Sequence, residues 1–195
     1  SRVWPIEEWK NDLIEHTCTG RLLRRSPDGE VTTVLDRLCF ANGVALTAEM
    51  DAVLVAETGT RTIRRVALGA DGSPRATTTW VEDLPGHPDN ISLGSDGLVW
   101  VTIASPTDPA LRVLQRSPAA VRGLVRRAPE RFKPTPKRTA RVMALDSEGR
   151  MVHDLAFDAT HWHLATGVRE HDGRGWLGSL VEPAIAWSDA LVDHP

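Results

Sequence analysis

Short apolar strands broken by acid-glycine turns run from Gly20 to the end of the chain, and this punctuation limits the fold more than any other feature. The turns are Pro-Asp-Gly at 27–29, Ala-Asp-Gly at 70–72, Ser-Asp-Gly at 95–97, Ser-Glu-Gly at 147–149 and His-Asp-Gly at 171–173. Strands are expected between them, among others at 21–26, 31–38, 43–47, 52–57, 62–68, 90–93, 98–104, 139–146 and 163–168. Connections this short join antiparallel neighbours, whereas parallel strands need a long crossover. The chain therefore reads as all-β: a sandwich, a barrel or a propeller.

An internal repeat separates these. "ANGVALTAEMDAVLVAE", "PDNISLGSDGLVWVTI" and "ATGVREHDGRGWLGSL" share one layout, in which a polar residue opens a strand, a charged turn follows and an apolar strand returns. The openers are Asn42, Asn90 and Thr166. The first two lie about 48 residues apart, the length of one propeller blade. The wider second spacing holds an insert at about 106–138, and the 195 residues amount to about four blades.

Two stretches are expected to be helical. Pro5–Glu15 has proline in its first turn and Ile6, Trp9 and Leu13 on one side. The insert carries Leu111, Leu114, Val121, Leu124 and Val125 at helical spacing, with nine Arg/Lys against two acids between Asp108 and Arg138. Such a basic amphipathic segment is either a lid with a solvated basic side or, through 109–138, a weak contact with an anionic membrane surface. Arg122, Arg126 and Arg127 would make that contact.

Composition excludes several classes. A net charge of −3 argues against general nucleic-acid binding. No apolar run approaches the ~18 residues of a membrane span, and Ser1–His16 lacks the pattern of a signal peptide. The chain reads as soluble, with no compartment assigned. Two cysteines, Cys18 and Cys39, flank a hairpin turning at 26–29. A two-residue Asp28-Gly29 loop would set them opposite each other. A type I turn with glycine in a bulge slips the register by one and sends them to opposite faces. Free thiols are expected.

At "LCFANGVALTAEMDAVLVAETGTRTIRRVAL" and "LPGHPDNISLGSDGLVWV" the sequence resembles the strictosidine synthase-like family, and "TGRLLRRSPDGEVTTVLDRL" and "REHDGRGWLGSL" continue the match. The resemblance implies a six-bladed β-propeller related in layout to paraoxonases and gluconolactonases. Family members extend further on the N-terminal side, so the chain corresponds to the C-terminal half, three to four blades in one partial propeller domain. A second chain or an N-terminal half would then close the ring.

In a propeller the innermost strand of each blade begins at one end of the central channel. Oxygen-bearing residues there form a cage suited to Ca²⁺, which takes six to eight oxygen ligands. The resemblance implies the same: Asn42, Asp89 and Asn90 match calcium ligands of paraoxonase-like propellers. The bland alternative is an Asn42-Gly43 turn, with Asp89 and Asn90 capping backbone amides. The acid/base glutamate of the condensing synthase falls at Thr166, which cannot serve as a base near neutral pH. The expected activity of the complete propeller is therefore calcium-dependent hydrolysis of a small-molecule ester or lactone. The rivals are a non-catalytic binding or membrane-associated scaffold and, last, a condensing synthase. No catalytic residue is assigned. His87, His161, His163 and His171 read as surface or hydrogen-bonded histidines, with His161 and His163 expected on one strand face. Glu57 either faces the channel or pairs with Arg61 or Arg64, and Glu170 belongs to its turn.

Overall fold

The computed structural model describes residues 3–189, which form two compact units: 3–41 with 107–135, and 42–106 with 136–189.

In the first unit a 3-10 turn at Ile6–Glu8 leads into α1 (Trp9–Glu15). The helix ends at His16, whose left-handed backbone (φ 52°) lets its N–H return to the Asp12 carbonyl. A hairpin follows, β1 (Gly20–Arg25) and β2 (Val31–Leu38). The basic insert forms two helices, α2 (Pro109–Arg116) and α3 (Ala119–Arg127). Asp108 caps α2 by accepting from the Ala110 and Leu111 amides, and Pro109 occupies the first turn, where its missing N–H costs nothing. Ser117-Pro118 separates α2 from α3, because proline disfavours a helical residue before it.

Two expectations about this unit are corrected. The cysteines are not free thiols: Cys18 and Cys39 form a disulfide. Near the turn the hairpin does take the slipped register, Arg25 opposite Val31, with Gly29 at φ 96°. Two register shifts then carry the strands to Leu22 opposite Leu35 and Gly20 opposite Leu38, which brings the cysteines back together. The basic residues are not all presented to solvent either. Arg126 Nε donates to Glu15 Oε1 at 2.9 Å and its guanidinium lies over Trp4, while Arg122 lies 4.0 Å from the same carboxylate. Arg127 remains exposed.

The second unit is three successive antiparallel meanders. The first is β3 (Ala41–Leu46), β4 (Ala52–Glu57), β5 (Thr62–Leu68) and β6 (Pro74–Val81). The second is β7 (Gly86–Leu93), β8 (Val99–Pro106), β9 (Ala140–Leu145) and β10 (Met151–Phe157). The third is β11 (Ala165–His171), β12 (Arg174–Ser179) and β13 (Ala186–Ser188). The strand expected at 90–93 lies within a longer β7 that begins four residues earlier, and the one expected at 163–168 begins two residues later as β11. His161 and His163 therefore precede β11 and share no strand face.

The sheets stack face to face, and β8 shows why its apolar run is unbroken. Val99, Val101 and Ile103 pack with Leu54 and Ile63 of the first sheet, while Trp100 packs with Val168 and Leu177 of the third. The two-residue period of a strand sends alternate side chains into two cores. The buried Trp100 ring keeps its N–H satisfied by Asp96 Oδ2 at 3.0 Å. At one end the sheets are clamped by buried Glu170, whose carboxylate accepts from the Ser95 and Gly173 amides (2.6 and 2.8 Å) and from the Ser95 hydroxyl. Burial works to raise its pKa, yet these donors outweigh burial and hold it below the ordinary carboxylate value.

Candidate metal centre at the inner strand starts

The three sequence repeats open at β3, β7 and β11, and these strands lie side by side. Gly43 makes the first contact possible: a Cβ there would sit 2.4 Å from the Ile91 nitrogen and 2.6 Å from the Asn90 Cα. On the other side, Asn90 Nδ2 donates to the Thr166 carbonyl at 2.5 Å and Ser92 Oγ to the Val168 carbonyl at 2.7 Å.

The chain enters β7 through a distortion. His87 pairs with Ser105 and Pro88 with Ile103, and the register slips on either side of Pro88 before resuming at Ile91 opposite Val101. Proline brings no N–H to the ladder, and a bulge turns side chains out of the regular alternation. Asp89 and Asn90 occupy that bulge. The bulge accommodates a Pro-Asp-Asn sequence in a strand that is buried at Pro88 and Ile91.

Asn42, Asp89 and Asn90 are brought together. Asp89 Oδ1 accepts from Asn90 Nδ2 at 3.2 Å, and the Asn42 amide lies close enough to favour the ionised Asp89 carboxylate. Burial pushes the Asp89 pKa from 3.8 up to about 6, only partly opposed by the Asn42 amide. Among the described residues no cationic side chain forms an ion pair with Asp89. Thr58 braces the arrangement: its buried hydroxyl accepts from Asn42 Nδ2 at 3.2 Å and donates to the Pro88 carbonyl at 2.7 Å. His87 is buried, with Nδ1 2.9 Å from the Thr58 carbonyl. The polar cluster thus holds one carboxylate and two carboxamides in contact, a hard oxygen donor set that suits Ca²⁺ far better than a thiophilic metal.

The other candidates are placed elsewhere. Glu57 is buried and pairs with Arg64 at 3.6 Å, also accepting from Thr62. His163 Nδ1 bonds to Glu182 and its Nε2 lies 3.2 Å from Arg138; His161 is exposed, and the exposed His171 lies 3.4 Å from Asp172. Thr166 contributes its backbone carbonyl, as the acceptor for Asn90. Sequence reading missed Thr58, because a threonine after a strand end carries no signal until the fold places it beside Pro88.

The strictosidine synthase family model matches residues 1–71. The rat adipocyte plasma membrane-associated protein is 34% identical over 203 residues, 95% of this chain and 51% of its own length. The chain spans about half the length of the curated relatives it matches. Among solved structures, a calcium-binding regucalcin from Agrobacterium tumefaciens superposes with a TM-score of 0.56 at 13% identity, over 87% of this chain and 48% of that one. A gluconolactonase from Xanthomonas campestris gives 0.55 at 18% identity, over 86% and 43%. These structures share the propeller-type fold, seen here as consecutive antiparallel meanders with their inner strands side by side. Along nearly its whole length the chain is thus similar in sequence to members of the strictosidine synthase-like family, and its fold is of the propeller type.

Proposed function

We propose that the cluster of Asn42, Asp89 and Asn90 is part of a calcium site in a six-bladed propeller that hydrolyses small-molecule esters or lactones. One observation carries the reading: a half-buried carboxylate, lifted toward neutrality by desolvation and lacking a cationic partner among the described residues, is flanked by two carboxamides on adjoining strands. A carboxylate so placed gains most from a proton or a cation. The calcium binding of the regucalcin and the lactonase activity of the gluconolactonase belong to those proteins, and they agree with this donor set.

Asp89 would supply the anionic ligand and Asn42 and Asn90 their amide oxygens, after each amide turns from its present donor role. Thr58 and Pro88 fix the spacing from behind, and Gly43 keeps β3 against β7. When bound, Ca²⁺ supplies Lewis acidity toward an ester or lactone carbonyl and stabilises negative charge on its oxygen. Thr166 places no carboxylate beside Asn90, which weighs against a condensation needing an acid/base there. No general base is assigned within 3–189.

The test is calorimetric titration of the chain with Ca²⁺, with aryl-ester and lactone hydrolysis followed with and without EGTA. Saturable binding lost in Asp89→Asn, and turnover abolished by chelator, are expected. Chelator-insensitive turnover, or binding that survives the substitution, would overturn the proposal.

A second use, proposed for the first unit alone, is contact with an anionic membrane. Val113, Val121, Leu124 and Phe132 are exposed there beside exposed Arg112, Arg116 and Arg127. Co-sedimentation with anionic but not neutral vesicles, weakened by replacing those arginines with Glu, is expected. No helix is long and apolar enough to cross a membrane.

A further inference from the structure

The disulfide of the first unit has a third partner. His16, Cys18 and Cys39 offer one nitrogen and two sulfurs, all within 4.8 Å of one another. They come from three points of the chain: the cap of α1, the link into β1 and the residue after β2. His16 and Cys18 are partly accessible and Cys39 is buried. The backbone is set for convergence, since His16 (φ 52°) and Cys18 (φ 48°) are left-handed, as are Arg37 and Phe40 on either side of Cys39. Non-glycine residues hold that conformation only when their surroundings enforce it, and such residues gather at functional sites.

We propose that the reduced form of this cluster binds Zn²⁺ through His16, Cys18 Sγ and Cys39 Sγ, so that disulfide and metal site are alternative states of the same residues. Thiolate and imidazole are the ligands Zn²⁺ prefers, and three protein ligands leave a fourth position for water or an incoming ligand. The exchange balances in two steps. A dithiol reductant gives two electrons and two protons to the cystine, leaving two protein thiols and its own disulfide. Zn²⁺ then displaces one proton from each thiol and takes a lone pair from the imidazole. The sulfurs need only separate from bonding distance, because the hairpin already holds both cysteines beside the α1 cap.

The test is anaerobic titration of the full chain with Co²⁺ as a spectroscopic stand-in, before and after phosphine reduction, followed by displacement with Zn²⁺. The reduced protein should bind one Co²⁺ with a thiolate charge-transfer band and the visible bands of tetrahedral cobalt, all bleached by Zn²⁺. The oxidised protein should show neither. Cys39→Ser should remove the charge-transfer band. His16→Asn, chosen because asparagine tolerates the left-handed cap, should weaken Zn²⁺ binding at least about tenfold, the loss typical of even an outer-sphere partner. Circular dichroism verifies that each variant is folded. Reduced protein without thiolate charge transfer, or His16→Asn with wild-type affinity and spectrum, would overturn the proposal. The site shares no residue with Asn42, Asp89 and Asn90, so its failure leaves the calcium reading untouched.

Discussion

Replacing Asp89 with Asn should stabilise the calcium-free protein while removing its calcium binding. The Asp89 pKa is about 6 in the fold against 3.8 for the ordinary group. Between those values the folded state holds a proton that the unfolded state has released, so stability falls as pH rises through this window and is level above it. At 1.36 kcal/mol per unit, the ionised carboxylate costs the fold about 3 kcal/mol at pH 7.5. Asparagine keeps the shape without the charge and should recover about 1–3 kcal/mol, the lower end allowing for imperfect amide pairing. Urea unfolding in EGTA at pH 7.5 and pH 4 measures this. The variant should be the more stable at pH 7.5, and most of the gap should close at pH 4. Calcium in excess should then raise the midpoint of the wild type alone, because only a ligand of the native state shifts the equilibrium. A variant less stable than wild type in EGTA at pH 7.5 would refute the reasoning, since the carboxylate would then be supporting the fold.

Other outcomes follow from neighbouring contacts. Gly43→Ala drives a methyl into the backbone at Asn90 and Ile91, which cannot rotate aside; it should cost about 1–3 kcal/mol or more in urea unfolding and weaken calcium binding with it. Glu170→Gln turns an acceptor into a donor facing backbone amides and should cost about 2–4 kcal/mol at pH 7. Because the folded Glu170 pKa lies below its ordinary 4.5, the wild-type advantage is complete above that value and fades as pH falls through the depressed one, so the two unfolding curves should converge in acid. Trp100→Ala empties a position shared by two sheets and should cost about 3–5 kcal/mol, read by thermal or urea unfolding.

What the sequence determined alone was local. Acid-glycine turns and two-residue alternation specify hairpins because turn dihedrals and strand periodicity depend on neighbouring residues, and the meanders appear where those signals stand. The repeat marked Asn42, Asn90 and Thr166 as equivalent positions, which fold onto adjoining strands, although β7 begins four residues ahead of Asn90. Tertiary structure decided everything that depends on register and on distance between remote residues. Two irregularities between Gly20 and Leu23, invisible in composition, rejoin Cys18 and Cys39 against the register the turn alone dictates. Glu15 draws Arg122 and Arg126 out of a basic face that helical spacing had turned to solvent. The Pro88 bulge aims Asp89 at Asn42, and burial there, a property of the stacked sheets, is what lifts a common aspartate toward neutrality. Side-chain chemistry is written in the chain, but the dielectric and the partners that tune it exist only once the sheets have stacked.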